Sequence, residues 1–347
     1  LTVGQHVNLQ AVATAAHLSL ATVSKILSGK YKGNTPKGRE RVARVQGLAE
    51  HMGYIANATA RRLRLGAHHA LVVVTPVDDS GHPPVFISEF IFGINHALRE
   101  KEWGMILYSY PRVAGIEVAQ RLPKERFYDG ALVIDSFDGV DSLLARAGVP
   151  AAFINVDPGP GRLTFMRDER AAGADLTRAL AGLGYNRLLV VGEIGLHPNS
   201  HSGFLQRWEG IQRAARECGV EIDTLPDAWW QGTIPRTLPT ARIDPGTVIV
   251  AMDVHTVWVL TRILPPGTPL ACCDDCHLLH ETFNELTRVV HERMALGRMA
   301  ADRLLARIAN PLTNPLTNPL ANPLAEPNVA PLRGAVLIGA TTPAFAK

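Results

Sequence analysis

Through the first fifty residues the hydrophobic positions recur at intervals of three and four, the spacing of one helical face. In LQAVATAA, the side chains of Leu9, Val12, Ala13 and Ala16 fall together, and Asn8 stands where it can cap the first turn. A corner at His17-Leu18 separates this segment from LATVSKILS, which Ser19 can cap and whose inner side carries Val23, Ile26 and Leu27. Leu20, Ala21, Thr22, Ser24 and Lys25 lie on its other faces. Thr35-Pro36 gives a capped start with proline at the first helical position and opens a third helix, KGRERVARVQGLAEHM, which Gly53 can end. Val42, Val45, Leu48 and Met52 would form the third wall of a small core.

After Gly66 the period changes. Short apolar runs at 70–76, 104–110, 130–135, 151–156, 187–192, 247–252 and 269–273 alternate with helical stretches at 86–102, 169–184, 203–219 and 253–264. Strands and helices alternating at this spacing predict an α/β fold of doubly wound parallel sheets. The number of runs fits two sheets, and 347 residues exceed what one core usually organises. Ligands of such sheets gather at the carboxyl ends of the strands. No G-x-G-x-x-G or P-loop follows any of these runs, which weighs against a nucleotide-dependent enzyme.

Charge divides the chain at the same place. Up to Gly66 ten basic side chains face two acidic ones, giving +8, so the net +3 leaves −5 for the remainder. A small basic head on an acidic body suggests that the head meets a polyanion. Two short helices joined by a tight corner are the helix-turn-helix unit, whose second helix enters the major groove of double-stranded DNA. On that helix Ser19, Thr22 and Ser24 offer hydroxyls to phosphates or base edges, Lys25 can reach guanine, and Leu20 and Ala21 offer apolar contact to a thymine methyl. Lys30, Arg39, Tyr54 and Asn57 are assigned to the DNA backbone.

The run NLQAVATAAHLSLATVSKILSG, followed by TPKGRERV, MGYIAN and ATARRL, resembles the DNA-binding head of the lactose-repressor (LacI/GalR) family, segment after segment in order. The resemblance implies an N-terminal all-α head at 1–56, a hinge helix at 57–66 and an effector-binding, dimerisation core at 67–347, similar to periplasmic sugar-binding proteins. It divides the core into an N-subdomain of about 67–166 with 287–310 and a C-subdomain of about 167–286 with 330–347. In the hinge, Leu63 occupies the place of the family's leucine that wedges into the minor groove, with Arg61 among the arginines that hold phosphate. The body carries matching pieces at VPAAFINVD, Asp168 to Gly173, Arg207-Trp-Glu-Gly210, TVIVAMD, CCDD and NELTRVV. Carried over by position, Asp168, Arg207 and Asp274 are implied effector contacts, and Trp229 or Trp230 an aromatic platform, with Trp230 taken as the candidate. The implied function is a homodimeric repressor that binds a pseudo-palindromic operator and answers to a small molecule, a sugar first. Three departures are visible: His17 where the family commonly has glycine, Met252 before Asp253 where it often has asparagine, and Cys272-Cys273 in place of a glycine-aromatic pair.

Other features change this picture little. Cys273, Cys276, His277 and His280 include zinc donors, but a closed site needs two ligand pairs separated by a longer loop, so no metal and no cofactor is expected. NPLTNPLTNPLANPLAEP at 310–327 places proline at every fourth position, which forbids a leucine-heptad coiled coil and predicts an exposed, turn-rich connection before a final strand in GAVLIGAT. A competing class, a sugar-handling enzyme or transport receptor with a basic appendage, lacks both a nucleophile-base constellation and a signal-like N-terminus. No apolar run is long enough to cross a bilayer, so a cytoplasmic location without a membrane partner is expected.

Overall fold

The computed structural model describes residues 7–31, 33–54, 68–77, 84–111, 120–122, 124, 127–135, 140–195, 201–225, 243–310 and 329–344. The chain separates into two compact units, 1–68 and 69–347.

In the first unit, α1 (Leu9–Ala16), α2 (Leu20–Leu27) and α3 (Pro36–His51) pack three ways. Each helix begins on the residue its sequence nominates. Asn8 accepts the Ala11 N–H at 2.9 Å, Ser19 accepts Thr22 N–H at 3.2 Å and Thr35 accepts Gly38 N–H at 3.1 Å, so one orphan amide of each first turn is satisfied. Val12, Ala13, Ala16, Val23, Ile26, Val45 and Ala49 are buried at the centre, with Leu9, Leu27, Val42, Leu48 and Met52 packed around them. The corner turns at His17, whose φ of 50° and ψ of 42° are left-handed, a conformation a side chain with a Cβ adopts at a cost.

The second unit holds two sheets. The first has strand order β2-β1-β3-β4-β5, formed by β1 (Ala70–Val77), β2 (Gly104–Pro111), β3 (Gly130–Ile134), β4 (Ala151–Ile154) and β5 (Leu163–Phe165), all parallel. One face packs on α4 (Ile87–Glu100) and on α10 (Arg293–Ala309), through Phe90, Ile94, Leu98, Leu296 and Leu304. The other is covered by Tyr110, Leu122, Tyr128 and, from α5 (Val140–Arg146), Leu144.

The second sheet runs β11-β10-β9-β8-β6-β7, from β6 (Arg187–Val191), β7 (Glu221–Thr224), β8 (Thr247–Ala251), β9 (Leu270–Cys272), β10 (Thr287–Val290) and β11 (Ala335–Leu337). Helices α6 (Glu169–Gly182) and α7 (Ser202–Cys218) lie on one face. On the other are α8 (Val254–Ile263) and α9 (His277–Thr282). The sheet is parallel except for β11, which pairs antiparallel with β10.

This sheet corrects the expected division of the core at 287. Strand β10 pairs with β9 and β11, so residues 287–290 belong to the second lobe and the chain returns to the first only with α10. Thr287 and Val289 are buried there, and Arg288 is held by Asp275, which makes a central strand of a run that reads as half polar.

Helices α6 and α7 cross through glycines. A Cβ on Gly173 would sit 2.2 Å from the Arg207 carbonyl oxygen, and one on Gly210 would sit 2.1 Å from that of Arg170. Only a hydrogen fits at either place. This close approach sets the height of Arg207 over the strand ends.

Candidate DNA-reading face and interlobe site

On α2 the buried Val23 and Ile26 fix which side faces outward. Leu20, 45% exposed, lies out with Ala21 and Lys25, while Thr22 and Ser24 are half-buried. The hydroxyls of Ser19 and Thr22 approach to 2.8 Å, so this pair also shapes the helix start. Lys30 and Arg39 are exposed, whereas Tyr54 packs in part against the helical core. Arg44 donates to the Ala16 carbonyl at 3.3 Å, tying α3 to the end of α1 just before the His17 corner. The resulting surface offers two apolar contacts and one long cation on a rigid helix, the chemistry that reads base edges in a major groove. Asn57, Arg61, Leu63, Trp229 and Trp230 lie outside the described residues.

In the core, strand ends from both lobes converge. Asp135 follows β3, Asn155 follows β4, Arg167 follows β5, Asp274 follows β9 and His291 follows β10, the edge at which parallel sheets collect ligands. Asp135 and Asn155 have φ of 46° and 60°. Aspartate and asparagine tolerate this left-handed backbone better than other side-chain-bearing residues, and strain of this kind collects at functional sites.

Asp274 is the hub. Its Oδ1 accepts from Arg167 Nη1 at 3.1 Å and from Arg293 Nη2, and its Oδ2 accepts from Arg207 Nη2 at 3.1 Å. Glu169 completes the arrangement, receiving Arg207 through Nε and Nη2 and pairing with Arg167. Arg207 Nη1 donates to the Met252 carbonyl, so the backbone serves here whatever side chain stands at 252. Burial raises the Glu169 pKa, but the Arg167 and Arg207 guanidiniums outweigh it and bring it down to about 2. Burial likewise opposes ionisation of Asp274, and Arg207, Arg293 and Arg167 hold its carboxyl well below the usual range. Burial and then the Arg167 charge push the His291 imidazole down to about 3, which keeps it neutral.

Further links cross between the lobes. His201, which caps α7 by accepting the Gly203 N–H on Nδ1 at 3.0 Å, donates from Nε2 to the Asn155 carbonyl at 2.6 Å and lies 3.4 Å from Asp135. Glu89 on α4 accepts the His277 N–H at 2.7 Å and sits 3.3 Å from Arg293. Phe86 packs against the cores of both lobes, with the guanidiniums of Arg293 and Arg167 5.4 and 5.9 Å from its ring centre.

Of the residues the sequence nominates, Arg207 and Asp274 meet in this cluster, and Asp168 does not. Its carboxylate caps α6 by accepting the Ala171 N–H at 2.8 Å, and the neighbours on either side, Arg167 and Glu169, enter the cleft. Sequence reasoning missed these two, with Asp135, Asn155, His201, His291, Arg293 and Glu89. Strand-end position was the available signal for four of them, Asp135, Asn155, Arg167 and His291.

Cys272 and Cys273 are fully buried; burial pushes the Cys273 thiol up to about 12, and Cys272 Sγ accepts the Asp274 N–H at 3.4 Å. These are packing residues that shape the turn carrying the hub. Among the described residues no helix is long and apolar enough to cross a membrane.

No protein-family model matches the chain. It is 27% identical over 221 residues to the HTH-type transcriptional regulator RafR of Escherichia coli, covering 63% of each chain, so it spans just under two thirds of that relative's length. To the HTH-type transcriptional regulator AglR of Rhizobium meliloti it is 25% identical over 323 residues, 88% of each. Among solved structures it superimposes on the Lac repressor dimer bound to operator and the anti-inducer ONPF with a TM-score of 0.73 at 16% identity, covering 98% of this chain and 100% of that one. The transcriptional regulator CelR in its cellobiose complex gives 0.60 at 19% identity, covering 97% and 100%. These likenesses establish the fold.

Proposed function

We infer that this chain is a transcriptional regulator of the lactose-repressor (LacI/GalR) family, a sequence-specific DNA-binding protein whose core answers to a small molecule. The observation that carries the reading is the outward face of α2, where Leu20, Ala21 and Lys25 stand exposed on a helix capped by Ser19 within a basic head. Regulators among its relatives and a structural neighbour seated on operator DNA support it.

In this reading two copies bind a pseudo-palindromic operator, each placing α2 in the major groove, with Arg61 and Leu63 engaging the minor groove between them. The chain then acts as a repressor without catalysing a reaction. The effector site lies between the lobes around Arg207 and Asp274, with a sugar as the starting class of ligand. A bound molecule changes operator affinity only by the difference in its affinity for the two arrangements of the lobes.

The test is selection of duplexes from a random pool by the full chain, followed by anisotropy titration of the winner. Lys25→Ala and Leu20→Ala are expected to relax base preference at single positions, at about 1–3 kcal/mol each. Arg39→Ala is expected to weaken all duplexes alike and reduce the salt slope by about 1. Equal effects of all three variants on every sequence would refute the assignment of α2 as the reading helix.

A further inference from the structure

The charges in the cleft are unevenly placed. Five side chains at its centre are at least 96% buried: Arg167, Arg207 and Arg293 against Glu169 and Asp274. Asp275 is engaged by Arg288 and His280, while Asp135, bonded to Asn155 and beside a His201 ring that carries its proton on Nε2, remains an anion that acts on Arg167. His291, neutral, adds nothing. Those five side chains alone carry one cation in excess; Asp135 compensates on the Arg167 side, and on the Arg293 side the carboxylate is Glu89 at the rim, whose side chain is 16% exposed and whose other oxygen is already taken by His277 N–H.

The same place holds unmet hydrogen-bonding capacity. Arg293 Nε and both ring nitrogens of His291 are buried and find no hydrogen-bond partner among the described residues. A buried orphan of this kind forfeits the hydration of its polar atom and is rare enough in folded proteins to require a reason. All three belong to the segment that begins α10, beside the guanidinium that Glu89 only partly serves.

A neutral polyol entering this cleft must separate buried ion pairs without supplying a charge in return, which leaves guanidiniums uncompensated in a low-dielectric site. A carboxylate exchanges like for like, and its two oxygens match the fork of an arginine. We propose that the interlobe site takes an acidic polyol, a sugar acid or hydroxy acid whose carboxylate displaces Glu89 from Arg293. Its hydroxyls then face Asn155, Asp135 and the His291 ring, and the ion pairs that join the lobes through Asp274 are re-formed around it. This rests on the reading of the core as an effector site and specifies the ligand's charge.

The experiment uses the full chain and two sets of probes. Melting of the unaltered protein is followed with gluconate against glucose and galacturonate against galactose, with sodium chloride equalising ionic strength. The acids are expected to raise the melting temperature and to bind roughly tenfold or more tightly than their neutral partners. In parallel, Glu89→Ala and the more conservative Glu89→Gln are melted with acetate, acetamide or sodium chloride. Acetate alone is expected to restore stability to Glu89→Ala. Rescue by acetate without a response to either acid would show that Arg293 accepts a free carboxylate in place of Glu89 but would overturn the acidic polyol as the ligand of this site. Neutral sugars that stabilise as well as the acids, or acetate that does no more than chloride, would overturn the proposal. Operator binding is titrated on the same samples: its failure strikes at the regulator reading, whereas the acetate arm reports on the cleft alone.

Discussion

Replacing Asp274 by asparagine keeps the shape of the side chain and removes the one charge shared by three arginines. In the native cleft this carboxylate, 3% exposed, is held at 3.1 Å from Arg167 and from Arg207, contacts Arg293, and accepts the Asp275 N–H at 2.8 Å. Asp274→Asn leaves those three guanidiniums facing Glu169 and the rim residue Glu89. Breaking a buried pair from one side costs about 3–5 kcal/mol, because the partner's charge remains uncompensated. With roughly 2–4 °C lost per kcal/mol in chains of this order of size, the melting temperature is expected to fall by about 10 °C. Urea unfolding at pH 7 measures the loss, and a double-mutant cycle with Arg207→Met isolates its cause. Removing one of the surplus cations is expected to return part of the stability, giving a non-additive cycle with a coupling of about 1–3 kcal/mol. A single variant within about 0.5 kcal/mol of the native protein, or strictly additive losses, would refute the view that charge balance holds this cleft together.

Three further outcomes follow from particular residues. His17→Gly relieves a left-handed residue at the helix-turn-helix corner and is expected to stabilise the head by about 0.5–1 kcal/mol without changing operator affinity, as measured by thermal melting and anisotropy; a less stable head would contradict it. His291 binds its proton at about 3 when folded and near 6.5 when unfolded, so its contribution is complete above pH 6.5 and drains away as pH falls toward 3. At pH 5 this amounts to about 2 kcal/mol, and His291→Gln is expected to flatten that part of the stability profile; superimposable profiles would exclude the assignment. Gly210→Ala drives a methyl against the Arg170 carbonyl and is expected to cost about 1–3 kcal/mol in urea titrations, whereas Gly182→Ala, with open space around it, gains up to about 1 kcal/mol; equal effects would deny that the α6–α7 crossing is tight.

The helical head was legible in sequence because its signals are local. Asn8, Ser19 and Thr35 bond amides three residues away, and the spacing of Val12, Ala16, Val23 and Ile26 needs no knowledge of the rest of the chain. Long apolar runs such as 70–77 and 247–251 were equally plain, since strands covered on both faces are apolar throughout. Strand β7, EIDT, lies at a sheet edge and offers only Ile222 to the core, and β10 hides a buried arginine whose partner comes from another loop, so neither announces itself. The cleft was harder still. Its members arrive from the ends of five strands and from four helices, and their pairing depends on which way each turn sends its side chain. At Asp168 the turn sends the carboxylate back to cap its own helix, and the residues on either side take the contacts. Glu169 lies in the run from Asp168 to Gly173 without being its nominated contact, and only the assembled lobes reveal that it and Asp274 share Arg167 and Arg207.

The most direct measurement is the mass and symmetry of the protein on DNA. A duplex selected from a random pool is bound by the full chain and examined by sedimentation, with each half-site mutated in turn. The expected result is two chains on one two-fold symmetric site whose halves contribute equally. One chain per duplex, an asymmetric consensus, or no preference among duplexes at moderate salt would contradict the assignment of this protein as a paired, groove-reading regulator.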